Sequence, residues 1–336
     1  MQILRSLLFR LASTAATLVG VAVIVFFVIR VVPGDPIAMM LPPGATAEDI
    51  ARLTALYGLD KSIPEQFFIW ASGVLQGDFG TSITARRPVL DLVLGRLPAT
   101  LELSIMALVI AVILGGVAAL MGTRERGTKV EAGIDVANGM ALSVPDFLWA
   151  LILILLFGVA WPVFHISGRV TPSLDLPFVT NFYLFESLVR LRFDLWVDIV
   201  SHMFMPALAL AIPLAAIIGQ LLKQSLKETM HLDYVTLART KGYGENHVII
   251  REALPNAILP TLTLVGVQFT FLIGGTVIIE RLFSYEGLGN MAIDAVINRD
   301  LPLIQGIVIL FAVLFTVVNL VVDLTYALLN PRLRHA

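Results

Sequence analysis

The chain contains no cysteine, which removes disulfides, thiolate metal ligands and thiol nucleophiles together. Charge is scarce: of 336 residues 14% are Asp, Glu, Lys or Arg, against 57% hydrophobic. That balance excludes an ordinary soluble domain and points to an integral membrane protein. A formal net charge of −2 offers no basic field to a nucleic acid. His165, His202, His231, His247 and His335 show no HxxxH or HExxH spacing, so no metal site is read from them. A P-loop is missing too. "GTRERGTK" at 122–129 has Thr128 and Lys129 in the wrong order for G-x-x-x-x-G-K-[ST], and it follows an apolar run where that loop needs a strand. The passage reads as a short basic turn, and any ATP used would bind a partner.

What is present is length of apolar sequence. Crossing a hydrocarbon core takes about 20 mostly apolar residues. Six stretches qualify, at 11–29, 103–123, 147–168, 199–222, 253–279 and 301–322, and none contains Asp, Glu, Lys or Arg. The third is expected to begin earlier, near Ile134, and to pass the kink-prone Pro145. The first reads as an uncleaved span: its run is long for a signal peptide and is followed by "RVVPGDP", with no A-x-A-like site. "PGDP" at 33–36 reads as a rigid exit turn, and Pro98, Thr100 and Glu102 as the start of span two, where Glu102 caps or charge-pairs.

Six spans put both ends of the chain on one side. The segments 1–10, 124–132, 223–252 and 330–336 hold 12 of the 23 Lys and Arg residues in 56 positions, and the segments between hold 11 in 120. By the positive-inside rule the first set is cytoplasmic. Ionisable groups within the spans nearly vanish. Asp135, Asp146 and Asp323 lie near ends, and Asn319 and Gln268 read as helix-packing hydrogen bonds. A proton- or sodium-coupled carrier or channel is the rival reading, and it should carry more such groups. A membrane enzyme would need a cluster of acids, histidines or a nucleophile at fixed depth, and the sequence offers none. A receptor with a partner-binding loop is a third alternative.

One cytoplasmic segment is long and charged. Residues 223–252 carry nine formal charges, which would cost on the order of 20 kcal/mol to bury in lipid. "DYVTLARTKGYGENHVIIREALP" at 233–255 has the marks of a helix, a turn and a second helix. Asp233 is expected as N-cap, with Leu232 and Leu237 as a hydrophobic staple. Tyr234, Leu237 and Ala238 fall at i, i+3 and i+4, hence on one face. Gly242 suits the left-handed position that ends a helix. Glu245 opens the second run, and Pro255 and Pro260 mark the start of span five. The loop is either an amphipathic connector on lipid headgroups or a peg for a partner's groove; its length and defined turn favour the peg.

The same residues resemble a family. "TLARTKG", nine residues and then "EALP" is similar to the cytoplasmic EAA-type motif of binding-protein-dependent ABC importer permeases. Ala238, Gly242, Leu254 and Pro255 match at the right spacing; Thr236, Leu237 and Glu252 depart from the general form as in the dipeptide, oligopeptide and nickel branch. "YGLDKSIPEQFFIW", "GDFGTS", "RLPATLEL", "SGRVTP", "LFSYEGLG", "RDLPLIQG" and "NLVVDLTYALLNPRLR" resemble the B-type permease subunit of that branch along nearly the whole chain. Tyr285-Glu286 stands where the branch commonly has Trp-Pro.

The resemblance implies an all-α integral membrane protein of the bacterial inner membrane, multi-pass, with both termini cytoplasmic. It would have six transmembrane helices, a cytoplasmic coupling-helix loop and a small periplasmic insertion between helices one and two. The chain would divide into an N-terminal span (1–31), a periplasmic segment (32–98), the transporter's transmembrane region (99–330, coupling loop 223–256) and a tail (331–336). Its partners would be a second related permease, two cytoplasmic ATPases holding ATP and Mg, a periplasmic substrate-binding protein and membrane lipid. No cofactor or catalytic residue is expected on this chain. The ATPase-coupling residues would be Asp233, Tyr234, Leu237, Ala238, Arg239, Lys241, Gly242, Leu254 and Pro255. For Arg239 and Lys241 a solvated face is an equal alternative.

Overall fold

Long apolar runs become long helices. The computed structural model describes residues 2–31, 46, 48, 60–174 and 176–329. The expected turn at 33–36, the side chain of Asp323 and the tail at 331–336 lie outside the described residues. The helices are α1 (Gln2–Val31), α2 (Ile63–Leu75), α3 (Val89–Arg124), α4 (Lys129–Ser143) and α5 (Asp146–Leu153), which continues in a widened turn to Ala160. They are followed by α6 (Tyr183–Val189), α7 (Phe193–Thr229), α8 (Asp233–Thr240), the rod α9 (residues 245–282), α10 (Leu288–Ile297) and α11 (Leu301–Leu329).

Four described stretches are long and apolar enough to cross a membrane: Val89–Arg124, Phe193–Thr229, Glu245–Leu282 and Leu301–Val322. They contain the expected runs at 103–123, 199–222, 253–279 and 301–322. α4 and α5 qualify together as a fifth, but with a bend of 103° between them. The kink expected at Pro145 is therefore a full break. A residue before proline is pushed out of helical geometry, and Val144 sits at φ −103°, ψ 122°. The same rule ends α5 at Ala160, short of the expected 168, because Trp161 precedes Pro162 and is extended. α1 carries an apolar stretch of Ala12–Val28.

The chain divides into two compact units, 1–97 with 291–316 and 98–290 with 317–336. In the first, Phe26 of α1 is fully buried and meets Phe67 and Trp70 of α2 at ring separations of 5.2 and 5.5 Å. Ser62 starts α2, its backbone N–H donating to Glu65 at 3.1 Å, one half of a capping box. Asp300, fully buried, accepts from the Ser82 hydroxyl at 2.5 Å and the Thr84 N–H at 2.9 Å, while its other oxygen takes the Leu303 N–H at the start of α11. Two passages 218 residues apart, "GDFGTS" and "RDLPLIQG", are joined by that carboxylate.

In the second unit α3 and α7 cross at bare backbone. A Cβ on Gly115 would stand 2.5 Å from the Ala215 carbonyl, and one on Gly219 3.1 Å from the Gly115 carbonyl. Reciprocal glycines let membrane helices approach closely where lipid gives no hydrophobic drive. Glu102 of α3 is 6% exposed and pairs with buried Arg169 at 2.7 Å. It also accepts the Leu184 and Phe185 N–H groups at the start of α6, so the expected charge pair and cap are both present, though Pro98 lies inside α3 and not at its start. The Arg169 guanidinium covers the Tyr183 ring at 3.9 Å. Glu280, fully buried, accepts from the Thr100 hydroxyl at 2.7 Å and the Asn290 N–H at 2.9 Å. Tyr285 is fully buried, and burial pushes its phenol up, so it stays protonated. The Trp-Pro departure is thus a core side chain.

Glu186 pins the segment before it. Its carboxylate takes the Thr180 hydroxyl at 2.6 Å and the Val179 and Thr180 N–H groups at 2.8 Å, with Arg190 beside it at 2.6 Å. The Thr180 hydroxyl bond first, then these N–H groups and Arg190, hold its pKa down from 4.5 to about 2. A depressed carboxyl adds stability that is full above its unfolded pKa and is lost as pH falls through the folded one. Amide exchange at Val179 and Thr180 should therefore accelerate as pH drops from about 4.5 toward 2 beyond the intrinsic trend. Glu186→Gln should remove that step, and an unchanged profile in the variant would disprove the pin.

Candidate functional site

The 223–256 loop is built from its ends inward. α7 closes at Thr229, and a tight turn follows in which His231 N–H donates to Glu228 O and Leu232 N–H to Thr229 O. That turn leaves Leu232 extended (φ −76°, ψ 148°), so Leu232 is the N-cap of α8 and Asp233 its first helical residue. The expected Asp233 cap with a Leu232–Leu237 staple is corrected accordingly. Asp233 instead puts a negative charge in the first turn, where the helix dipole favours it.

α8 has two apolar faces. Val235 and Ala238 are buried, in a core with Leu222, Leu226, Val248, Ile249 and Ala253. Tyr234 and Leu237 are on the outside, the latter 55% exposed. The expectation that Tyr234, Leu237 and Ala238 share a working face is therefore corrected: Ala238 belongs to the inner face, and Val235 was missed. Both sets satisfy helical spacing, and only the packing against α9 chooses between them. Tyr234 is also latched, its hydroxyl accepting from the Asn256 amide at 2.7 Å.

The end of α8 is a complete Schellman turn. Gly242 has φ +85°; its N–H donates to Arg239 O at 2.9 Å and the Tyr243 N–H to Ala238 O at 3.4 Å. Gly242 is at the expected position. Lys241 is exposed beside the helix C-terminus. Arg239 is engaged within the loop: it grips Glu245 at 2.8 and 3.3 Å and reaches the Met230 carbonyl at 3.4 Å. The fork closes the two ends of the turn on each other. Such an exposed pair contributes below about 1 kcal/mol, so its use is orientation more than stability.

Glu245 opens α9 as expected, but the rod is already under way before Pro255. A widened turn at Val248–Ala253 precedes Leu254. Pro255 has no N–H to return to the preceding turn, and widening the turn is a common way to absorb that. Leu254 packs partly against the loop's core and Pro255 is exposed. From α7, Lys223 reaches Glu131 at 2.7 Å and Asp135 at 2.8 Å. The 122–129 turn, where the Thr128 hydroxyl caps α4, thus lies on the same end of this unit as the loop.

A bundle of long apolar helices with a clamped, two-faced helix on one end defines a multi-pass membrane protein with an ordered loop between two spans. Residues 97–335 match the binding-protein-dependent transport system inner membrane component family, and residues 3–104 match the N-terminal region of such membrane components. The chain belongs to that family of inner membrane components. It is 37% identical to the dipeptide transport system permease protein DppB of Escherichia coli strain K12, over 99% of both chains. It is 36% identical to the di/tripeptide transport system permease protein DppB of Pseudomonas aeruginosa, over 97% of both. It is 34% identical to the glutathione transport system permease protein GsiC of Salmonella choleraesuis, also over 97% of both. Among solved structures, the inward-facing MetNI methionine ABC transporter shares the fold, with a TM-score of 0.53 at 12% identity over 69% of this chain and 93% of that one.

Proposed function

We propose that this chain is the permease subunit of an ATP-driven importer for peptides or related small solutes brought by a binding protein. It contributes six spans, with α1 and the bent α4–α5 pair as the two beyond the four straight ones, and half of the translocation path. A second, related permease completes the path. Two ATPases, which hold ATP and Mg, seat α8 of this chain and the corresponding helix of the second permease. Both termini, the 122–129 turn and the 223–256 loop lie in the cytoplasm, and the bridges from Lys223 to Glu131 and Asp135 support placing the last two together. The 32–98 segment and the region around 283–300 face the binding protein.

The observation that carries this reading is α8 itself. A helix whose inner face is locked into the bundle by Val235 and Ala238, and whose outer face still shows Tyr234 and Leu237, transmits force from a partner and is not a slack connector. Tyr234→Asp with Leu237→Asp should release the ATPase from the complex and leave the chain folded in the membrane. Ala238→Asp should instead lower abundance, since it places a charge in the core. Co-purification in mild detergent reads both, and retention of the ATPase by the outer-face variant would put the loop on lipid instead.

The test of the whole reading is a pull-down of the chain from its native membranes, analysed by mass spectrometry. An ATPase and a second permease should accompany it, and a co-purified binding protein would point to the solute. Recovery of the chain by itself from membranes that transport would replace this reading with a gradient-driven carrier.

A further inference from the structure

Outside the loop, one polar grouping is not explained by packing. His165, Asp198 and His202 can each offer a donor atom such that the three atoms lie within 4.8 Å of one another. Asp198 and His202 are one turn apart on α7, and His165 arrives from the segment after α5. The two imidazoles stack at 4.0 Å and 7°. His165 is exposed, while His202 is 4% exposed.

The hydrogen bonds fix where the lone pairs are. His202 Nδ1 lies 2.9 Å from the Ser167 carbonyl, which can only accept, so Nδ1 carries the proton. Ser201 donates its hydroxyl proton to the Asp198 carbonyl at 2.7 Å, so at 2.9 Å it can only accept from His165 Nδ1. Both neutral rings therefore leave Nε2 bare. Thr171 donates its proton to Asp198 Oδ1 at 2.6 Å, and its N–H to Oδ2 at 2.9 Å. What it presents to His202 Nε2, 3.3 Å away, is a second lone pair. Asp198 Oδ2 is 3.9 Å from the same nitrogen. A buried nitrogen lone pair surrounded by oxygen acceptors needs a cation.

We propose that His165, His202 and Asp198 form a three-donor site for a divalent transition metal of the zinc class. Two imidazoles and one carboxylate with a fourth position left open is a donor set that zinc takes. A tetrahedral site needs donors about 3.3 Å apart, and parallel rings cannot both aim a nitrogen lone pair at one ion, so the set closes only when exposed His165 turns out of its stack on His202. Ser167 and Ser201 on the Nδ1 protons, and Thr171 on the carboxylate, orient the ligands as outer-shell partners do. Bound metal would staple the segment around 165–171 to α7. Spacing along the sequence could not reveal this, because His165 stands 37 residues before His202.

The test uses the full-length chain in detergent, purified without a polyhistidine tag and titrated with Zn2+ by calorimetry. One Zn2+ per chain is expected, with X-ray absorption showing two imidazoles. His165→Ala, at an exposed position that spares the fold, should weaken binding at least tenfold, and Asp198→Asn with His202→Gln should remove it. Ser201→Ala should weaken it while leaving all three ligands in place. No stoichiometric Zn2+ in the wild type would overturn the proposal, as would equal affinity in His165→Ala, which would place the metal on His231, His247 or His335. Imidazole 15N shifts showing His202 doubly protonated at pH 7 and unmoved by Zn2+ would overturn it too, and make the cation a proton.

Discussion

Gly242→Pro should abolish uptake while the chain still reaches the membrane in normal amount. The residue sits at φ +85°, and proline is confined near −65°. The substitution also removes the N–H that donates to the Arg239 carbonyl. Both losses fall on the turn that sends the chain from α8 into α9. Space is not the obstacle, since a Cβ at Gly242 would meet nothing within 4 Å; the obstacle is the backbone. A graded series follows. Gly242→Asn should retain most uptake, because asparagine tolerates the left-handed region, and Gly242→Ala should lose more, at a cost of about 1 kcal/mol. Uptake of the solute bound by the co-purified binding protein, normalised to membrane abundance, reads all three. Wild-type uptake by the proline variant would remove α8 from the mechanism.

Arg169→Met should be the most destabilising single change in the 98–290 region. It strands Glu102 at 6% exposure, and breaking a buried ion pair from one side costs about 3–5 kcal/mol. The loss should also loosen α6, whose first N–H groups Glu102 accepts, and free the Tyr183 ring. Adding Glu102→Gln should recover a large part of the stability, since the amide oxygen still accepts those N–H groups without an unpaired charge. Thermal unfolding followed by tryptophan fluorescence in detergent gives the comparison. If the single variant melts with the wild type, the pair does not hold the segment.

The architecture was legible where one residue class decides it. Uncharged apolar runs announced the long helices, and Gly242 announced its turn, because few other residues accept that backbone. The inner and outer faces of α8 were not legible. Tyr234, Leu237 and Ala238, or Val235 and Ala238, fit a helical stripe equally, and only α9 selects. The break at Pro145 was seen as a kink and not as a right-angle turn, since the extended residue before it absorbs the whole change of direction. Least legible were the partners of the pins: Arg169 for Glu102, whose pairing alone was foreseen, Thr100 for Glu280 and Ser82 for Asp300. Each is an ordinary polar residue in its own stretch, and its meaning comes from a partner far along the chain. The resemblance carried those passages as motifs, and the structure gives them a physical task.

α9 runs from the Arg239–Glu245 clasp to the Glu280 carboxylate, about 54 Å at the rise of an α-helix. It has a widened turn at Val248–Ala253, close to the end that Asn256 ties to Tyr234. The geometry is that of a long arm on a short pivot. Each degree of tilt about that turn carries the far end sideways by about 0.8 Å. A tilt of about two degrees there would carry Glu280 about 1.5 Å, farther than its hydrogen bonds to Thr100 and Asn290 can stretch.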